Sequence, residues 1–572
     1  MGQDILNFCV QKGLLLDSNI LNALNDIGDS DSVRFVIEKI KDCTKQRIIT
    51  KETFNKNSEI FEKVFSTLSN ENQETLQKLK IKLGLNIEIS REISYPENFS
   101  KDFIENNKKN YEISNNLIKS NKIYVENDNQ NIQKTQLNQE QEDNENNKKS
   151  LNFREDILKD VKVVSFDYFP SKKLGVGDFV TYFRNRFDEL RNILQEHSEL
   201  NNLVSINKIS GNKQNVSLIG MVIEKRVTKN KNLILDIEDL TGTIRVLVNQ
   251  NKTDLYEKAQ EITLDSVLGF KGSGNKEIFF ANDLIFPDSV LPERKKSPKE
   301  EYAVFIGDTH IGSKNFMEDN FLKFINYLKG NVPGTEEEAK KIKYIFIVGD
   351  LVAGVGNYPG QENEIILPDL ESHFEKAAEY LSKIPKDKKI IISPGNHDGV
   401  RIMEPQPFFS EKYAWPLYEL ENIILTTNPA TINIGANLEK GFKGFDVLMY
   451  HGFSYFYYAD NIYPLMMAEA KYNPEMILKY LLKNRHLAPT HSSTQYFPSE
   501  KDTHLIRNVP DIILSGHIHK SAVSYYNNIL CISVSGWESM TDYMEKRGAK
   551  PDFCKVPLLN LKTRAIKILD FE

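Results

Sequence analysis

Residues 388–400, KKIIISPGNHDGV, contain a short apolar run that ends in a turn and then in three polar side chains. Pro394 and Gly395 already supply the backbone angles that a sharp exit from a strand requires. Turn formation therefore leaves Asn396, His397 and Asp398 without a structural explanation. Such side chains bind metals or transfer protons, so the end of this strand is a candidate functional site.

Four other short apolar runs in the C-terminal part of the chain end in residues of the same kind. They are YAVFIGDTH (302–310), KYIFIVGD (343–350), FDVLMYHG (445–452) and VPDIILSGHIH (509–519). Almost continuously apolar strands are typical of a sheet that is buried on both faces, and in α/β folds functional groups gather beyond the ends of such strands. The pattern predicts that these side chains meet at one sheet edge: Asp308, His310, Asp350, Asn396, His397, Asp398, His451, His517 and His519.

The residue types at these strand ends favour a divalent metal ion. Histidine and carboxylate mixed with an amide oxygen suit manganese, iron or zinc, whereas magnesium prefers oxygen ligands alone. Asp308 and His310 are two residues apart, as are His517 and His519, which in extended backbone places both side chains of a pair on the same side. Each pair can therefore serve one cluster.

The order GDxH, GD, GNHD, HG and GHxH resembles the calcineurin-like metallophosphoesterase superfamily. The resemblance implies an α/β sandwich with helices outside two sheets and two divalent metal ions at one sheet edge, manganese first, with iron or zinc as alternatives. Two such ions clamp phosphate oxygens during an in-line displacement. The implied ligands are Asp308, His310 and His519 for the first ion and Asn396, His451 and His517 for the second, with Asp350 bridging them.

The same resemblance implies separate roles for the remaining two polar residues of the GNHD motif. His397 is expected to stand beside the leaving oxygen as a general acid rather than to bind metal. Asp398 is expected to orient the His397 ring and to fix its protonation, as carboxylates do for catalytic imidazoles.

The segments between the motifs narrow the family. GVGDFVTYFRNRFDELRNIL (175–194), GVGNYPGQENEI (354–365) and RHLAPTH (485–491) resemble the small subunits of the archaeal family D DNA polymerase, over roughly residues 155–572. This resemblance implies a proofreading 3′–5′ exonuclease that accompanies a separate large catalytic subunit. The resemblance also implies two further partners. One is DNA with a 3′ end, and the other is a sliding clamp that the chain contacts through the assembled enzyme.

At 572 residues the chain is too long for one ordinary core, and its composition divides it. Residues 1–84 carry apolar positions at helical spacing, which predicts a helical domain, and residues 85–150 predict a disordered low-complexity linker. Residues 151–210 contain a strand-like segment and an amphipathic helix. Alternating polarity over 211–292 predicts a five-stranded barrel of the oligonucleotide/oligosaccharide-binding (OB) type, and residues 300–572 form the phosphoesterase domain.

Two interpretations of the predicted barrel stay open. Lys225, Arg226, Lys229 and Lys231 cluster about its first hairpin, and such barrels often hold single-stranded nucleic acid with basic and aromatic side chains. Aromatic residues are absent from this sheet until Phe270. A barrel used only as a packing module is an equally good interpretation.

Charge and cysteine content exclude several classes of protein. The formal net charge of -7 argues against a surface that is basic overall, although a local basic groove remains compatible with it. The four cysteines form no CxxC pair, and no run of about 18 apolar residues occurs, so we expect a cytoplasmic protein without a membrane span. Two other functions remain open: a structural subunit that binds no metal, and a free-standing metallophosphatase.

Overall fold

A computed structural model of the protein describes residues 160–165, 173–209, 211, 213–546 and 548–572, together with three short strands. These strands are β1 (Leu15–Leu16), β2 (Ile48–Ile49) and β3 (Ile87–Ser90), and β1 pairs with β2 in parallel. The helical runs predicted within 1–84 lie outside the described residues, as does the predicted linker over 85–150 apart from β3. Both remain predictions.

A closed five-stranded barrel follows the first described helix, α1 (Val176–Gln195). Its strands are β5 (Lys213–Val227), β6 (Leu233–Asp239), β7 (Gly242–Val248), β8 (Val267–Gly274) and β9 (Ile278–Ile285), in the order β5-β6-β7-β9-β8. Helix α2 (Thr253–Gln260) lies between β7 and β8 in the chain. Inward residues of β6 are buried at every second position, which is the alternation that predicts a barrel strand.

The C-terminal part is a sandwich of two mixed sheets. One sheet has the order β13-β12-β11-β10-β19-β20-β3 and contains β10 (Tyr302–Ile306), β11 (Ile342–Val348), β12 (Lys389–Ser393), β13 (Ile423–Leu425), β19 (Lys555–Asn560) and β20 (Ile566–Asp570). The other has the order β17-β18-β16-β15-β14-β4 and contains β4 (Val161–Ser165), β14 (Ala430–Ile434), β15 (Phe445–Met449), β16 (Ile512–Ser515), β17 (Ala522–Tyr526) and β18 (Ile529–Ser533).

Helices cover the outer faces of both sheets. They are α3 (Glu318–Leu328), α4 (Glu336–Lys341), α5 (Leu370–Leu381), α6 (Glu411–Tyr418), α7 (Tyr455–Asn461), α8 (Tyr463–Met467), α9 (Pro474–Asn484) and α10 (Asp542–Lys546). Three 3₁₀ turns complete the described helical segments: Ile206–Lys208, Gln361–Asn363 and Leu438–Lys440.

Strand β10 shows why these strands are apolar at nearly every position. Ala303 and Phe305 pack between the two sheets, whereas Val304 and Ile306 pack against the helical layer that contains α3 and α5. A strand enclosed on both faces needs apolar side chains on both. The predicted α/β sandwich of the C-terminal domain is therefore confirmed.

Helix α1 packs the barrel against the C-terminal sandwich. Phe187, Leu190 and Leu194 form a buried cluster with barrel residues such as Met221, and Leu505 of the C-terminal part joins it. Phe183, one helical turn before Phe187, packs against the same cluster, so the apolar face of the amphipathic helix is packing surface.

The basic hairpin of the barrel is partly occupied by internal contacts. The Lys225 ammonium donates hydrogen bonds to the carbonyl oxygens of Gln260 (2.9 Å) and Ile262 (2.7 Å). Arg226 lies 3.6 Å from the Asp236 carboxylate. Both contacts support the interpretation of the barrel as a packing module.

In the part of the chain that the structure describes, no helix is long and apolar enough to cross a bilayer.

Gly272 on β8 should tolerate no side chain. A Cβ atom there would lie 2.1 Å from the carbonyl oxygen of Phe280 on the paired strand, whereas one at Gly177 in the first turn of α1 would have nothing within 4 Å. We expect Gly272→Ala to lower the free energy of unfolding by about 1–3 kcal/mol and Gly177→Ala to change it by less than about 1 kcal/mol. Chemical denaturation of the two variants checks this, and equal midpoints would contradict it.

Candidate metal centre

The strand ends of both sheets meet at one edge of the sandwich. Asp308 and His310 follow β10, Asp350 follows β11, and Asn396 and His397 follow β12. These three strands are parallel neighbours, so their carboxyl ends lie side by side.

The second sheet supplies the remaining side chains of the same edge. His451 comes just after β15, and His517 and His519 come just after β16, its parallel neighbour. The His310 and His519 side chains, 209 residues apart in the chain, are thereby brought into contact.

The predicted ligands form two adjoining clusters. In the first, the Nε2 atoms of His310 and His519 are 3.1 Å apart, and His519 Nε2 lies 3.5 Å from Asp308 Oδ1. Asp308, His310 and His519 are all buried and place potential ligand atoms within 4.8 Å of one another. These are the three residues that the sequence groups around one ion.

The second cluster contains Asp350, His451 and His517, which also have potential ligand atoms within 4.8 Å of one another. His451 Nε2 lies 3.2 Å from Asp350 Oδ2 and 3.1 Å from Asn396 Oδ1. Asp350 Oδ2 is also 3.9 Å from His310 Nε2. The Asp350 carboxylate therefore stands between the two clusters, at the position of a bridging ligand.

Five of the residues in these loops have a left-handed backbone conformation. The residues with φ between 47° and 68° include Asp308, His310, Asp350, His517 and His519. Side chains other than glycine rarely adopt this left-handed conformation, and where they do the surrounding structure holds them in it. Strain of this kind is typical of functional sites.

Two glycines allow the carboxylates to approach the backbone. A Cβ atom at Gly395 would lie 2.2 Å from Asp350 Oδ1, and one at Gly516 would lie 2.5 Å from Asp308 Oδ2. The His517 N–H donates to both oxygens of Asp308 at 3.0 Å, and the His397 N–H donates to Asp350 Oδ1 at 2.8 Å. Both carboxylates are thus held by the opposing loops.

Several side chains of the centre have pKa values far from their usual range. Burial alone would raise the pKa of Asp350, but the attraction of His451 and His397 holds this pKa well below its usual range. Burial opposes the charged form of His451, and Asp350 nevertheless raises the pKa of His451 to about 10. Burial and the neighbouring histidines lower the pKa values of His310 and His517.

The chemistry of the donor set fits divalent metal ions. His451 directs Nδ1 to the Val348 carbonyl oxygen at 3.0 Å, which leaves Nε2 facing Asp350 and Asn396, as expected of a metal-binding imidazole. In the first cluster His519 Nδ1 is buried without a hydrogen-bond partner. Imidazole nitrogen, carboxylate and amide oxygen together suit borderline ions such as manganese, iron or zinc.

His397 lies beside the clusters with its ring partly exposed. The ring meets that of His310 edge-on, with 4.8 Å between the centroids. His397 Nδ1 lies 2.9 Å from the Ala353 carbonyl oxygen and 3.2 Å from Asn357 Nδ2. Because a carbonyl only accepts, Nδ1 carries a proton toward Ala353 and Nε2 is left for another partner.

The prediction that Asp398 orients the His397 ring is wrong. Its carboxylate accepts hydrogen bonds from the N–H groups of Val352 (3.0 Å) and Gly395 (2.7 Å), and the His397 ring is held by the Ala353 carbonyl instead. The tight turn after β12 directs Asp398 inward, where burial and the charge of Asp350 raise its pKa to about 7. Asp398 therefore joins two loops and does not orient the imidazole.

Sequence reasoning missed Glu538 and the residue before it. The buried Glu538 carboxylate accepts a hydrogen bond from the Ser313 hydroxyl and interacts electrostatically with His519. The Trp537 N–H donates to the Asp308 carbonyl oxygen at 2.9 Å. Both residues come after β18 (Ile529–Ser533), an apolar strand whose end carries none of the GD, GNHD, HG or GHxH motifs, so the motif pattern that locates the other site residues did not find them.

Comparison with protein families places this site in a known fold. Residues 303–521 match the family described as calcineurin-like phosphoesterase. The matched region contains the loops that carry all seven predicted metal ligands. Among solved structures, an archaeal phosphodiesterase is 12% identical and covers 47% of this chain, with a TM-score of 0.24, which is too low to carry further argument.

Three relatives described as DNA polymerase II small subunits cover most of the chain. The protein of Pyrococcus furiosus is 36% identical over 73% of this chain and 68% of its own length. That of Methanothermobacter thermautotrophicus is 35% identical over 69% and 80%, respectively. The Pyrococcus abyssi protein is 36% identical, and the match spans 69% of this chain but only 63% of that relative.

Proposed function

This chain belongs to the family of DNA polymerase II small subunits, and from that premise we propose that it is a metal-dependent 3′–5′ exonuclease that edits DNA for a partner polymerase. The observation that supports the proposal is the convergence of Asp350 with two histidine-containing clusters, each of which draws residues from both sheets. A site of this composition in a phosphoesterase fold is suited to hydrolysing phosphodiester bonds.

Each proposed ion has its own set of ligand residues, and Asp350 is shared between them. Asp308, His310 and His519 would hold one ion, Asn396, His451 and His517 the other, and Asp350 both. Two such ions, manganese first, would supply positive charge that stabilises the charge developing on the phosphate.

We propose that His397, protonated at both ring nitrogens, donates its Nε2 proton to the leaving 3′ oxygen of DNA while Nδ1–H keeps its hydrogen bond to the Ala353 carbonyl. Its Nδ1 is bound to the Ala353 carbonyl, so the ring cannot turn away, and its partly exposed Nε2 edge is available to the substrate. Asn357 Nδ2 donates to the same Ala353 carbonyl oxygen at 3.0 Å and so helps to fix the acceptor that holds the ring. The Asp350 carboxylate, which accepts the His397 N–H, ties this residue to the metal-binding loops.

The partners follow from the family. The relatives are described as small subunits, so we propose that this chain binds a large catalytic subunit, DNA with a 3′ end and, through the assembled enzyme, a sliding clamp. The closed barrel is proposed to be of the OB type, and the division at residues 84, 150, 210 and about 300 is proposed as the domain organisation. The order β5-β6-β7-β9-β8 suits an OB barrel.

The full chain, with and without its large subunit, should shorten a 5′-labelled DNA duplex that ends in a mismatched 3′ nucleotide. We expect a ladder of shorter labelled products with Mn²⁺, and none when EDTA removes the ion. A duplex labelled at the 3′ end should release labelled mononucleotide first. Loss of nucleotides from the 5′ end, or no hydrolysis in either preparation, would refute the proposal.

A structural subunit is the second candidate function, since the barrel and helix α1 are packed as a brace against the phosphoesterase domain. Such a subunit would bind the large subunit yet retain well under one metal ion per chain. A free-standing metallophosphatase would instead hydrolyse phosphoproteins or mononucleotides and would not associate with a polymerase. Metal analysis and co-purification together separate the three.

A further inference from the structure

Two buried amide side chains, Gln406 and Asn428, lie between two of the loops that form the metal centre. Gln406 is 2% exposed and Asn428 is fully buried. Their backbones pair in both directions, from Gln406 N–H to the Asn428 carbonyl at 2.7 Å and from Asn428 N–H to the Gln406 carbonyl at 3.1 Å. We call this pair the amide clamp.

The side chains of the amide clamp form a continuous hydrogen-bond relay. The His451 N–H donates to Asn428 Oδ1 at 2.9 Å, and Asn428 Nδ2 donates to Gln406 Oε1 at 2.7 Å. Gln406 Nε2 then donates to the Gly395 carbonyl oxygen at 3.2 Å. The relay therefore runs from the residue that ends β15 to the turn that ends β12.

The direction of this relay is unique. Its first group is a backbone N–H, which can only donate, and its last is a backbone carbonyl, which can only accept. Reversing either amide would set donor against donor or acceptor against acceptor inside the protein, where an unpaired polar group costs free energy. Only an amide at both positions satisfies every group.

The relay begins at one ligand of the second proposed ion, His451, and ends next to another, Asn396. Asn396 follows Gly395 directly, and its Oδ1 lies 3.1 Å from His451 Nε2. Gly395 is held at both polar groups, because its N–H donates to Asp398 Oδ2 at 2.7 Å. In the described part of the chain, no hydrogen bond of the clamp ends on a residue of the first cluster.

We infer that the amide clamp sets the spacing of Asn396 and His451 and thereby the metal affinity of the second cluster alone. Gln406 and Asn428 are thus positioning residues that act through the backbone of Gly395 and His451. Groups that hold metal ligands in place typically contribute a factor of about 10–100 in metal affinity. The inference rests on the proposed two-metal centre.

Gln406→Met tests the clamp, because methionine has a similar volume but lacks both amide groups. Calorimetric titration of the full chain with Mn²⁺ should show two binding steps in the unaltered protein. In Gln406→Met we expect one step to weaken by about 10–100-fold and the other to keep its affinity. The measurement requires no DNA hydrolysis.

Asn422→Ala is the matched control. This buried amide donates to the Lys388 carbonyl at 2.9 Å, at the opposite end of β12 from the metal centre. The control should lose thermal stability in EDTA by an amount similar to Gln406→Met yet keep both Mn²⁺ affinities. A merely structural role of Gln406 would make the two variants bind Mn²⁺ alike.

A second variant keeps the inference testable if methionine prevents folding. Asn428→Asp retains the acceptor for His451 but loses the donor to Gln406, so it too should weaken one binding step selectively. Equal weakening of both steps, or no change in either variant, would overturn the inference while leaving the proposed exonuclease intact. Failure of the unaltered protein to bind two Mn²⁺ ions would instead refute the proposed metal centre, and the inference with it.

Discussion

Replacing His397 with alanine is expected to leave Mn²⁺ bound and to lower the rate of DNA hydrolysis by about 10²–10⁴-fold. Among the proposed site residues, His397 is the one whose substitution should separate metal binding from catalysis most clearly. The His397 side chain contacts the Ala353 carbonyl and Asn357, and it stands beside the ligand clusters. Its removal would therefore take away the proposed proton donor and leave the proposed metal ligands in place.

His451→Ala is the contrasting variant. The His451 ring lies within 3.2 Å of both Asp350 and Asn396, so its loss should abolish hydrolysis together with metal binding at the second cluster. Hydrolysis assays with Mn²⁺ and metal analysis of the same preparations give both readouts. Loss of metal from His397→Ala, or undiminished hydrolysis in either variant, would show that the assigned roles are wrong.

The second large effect concerns stability and lies away from the metal centre. Arg186 of helix α1 is fully buried, and its Nε atom is 2.6 Å from Asp502 Oδ2. The same carboxylate accepts a hydrogen bond from the Tyr182 hydroxyl at 2.6 Å and lies 2.8 Å from His486 Nε2. Burial alone would raise the pKa of Asp502, but Arg186 and His486 hold it well below its usual range.

We expect Arg186→Met to lower the free energy of unfolding by about 3–5 kcal/mol, because the Asp502 carboxylate is then left buried without its cation. Arg245→Ala is the control. Arg245 pairs with Asp236 at the surface of the barrel, with 47% of its side chain exposed, and its loss should cost less than about 1 kcal/mol.

The double variant Arg186→Met with Asp502→Leu should recover part of the lost stability, since it removes both buried charges. Chemical denaturation, with the unfolding of α1 as the transition that is followed, measures the free energy of unfolding of all three variants: Arg186→Met, Arg245→Ala and the double variant. Equal effects of the buried and the surface arginine would contradict the assignment of Arg186 as a buried structural cation.

Local pattern was sufficient to predict which side chains meet at the sheet edge. Asp308, Asp350 and His451 each follow a strand that is apolar on both faces, and such strands run parallel within a sheet. Parallel neighbours end at the same edge, so residues just beyond their carboxyl ends converge whatever their separation in the chain. His373 and His486 do not stand at the end of such a strand and have other partners, the Leu367 carbonyl and Asp502, respectively.

Local pattern was insufficient where a side chain turns toward a distant partner. Asp398 stands next to His397 in the chain but binds the backbone of Val352, 46 residues away. Glu404 and His504 form a buried pair at 2.9 Å, and the Glu404 carboxylate also accepts from the Tyr450 hydroxyl at 3.1 Å. No repeat or spacing marks Glu404 or His504, and none predicts the partner of Asp398.

The sequence by itself therefore determined the family, the sandwich of apolar strands and the set of side chains at its edge, because strand periodicity and strand direction carry those features. Only the tertiary structure decided what holds these side chains in place. The amide clamp joins residues 22 positions apart, and the Arg186–Asp502 pair joins residues 316 apart. A buried hydrogen bond depends on the position and orientation of both partners, and the packing of the whole domain sets these.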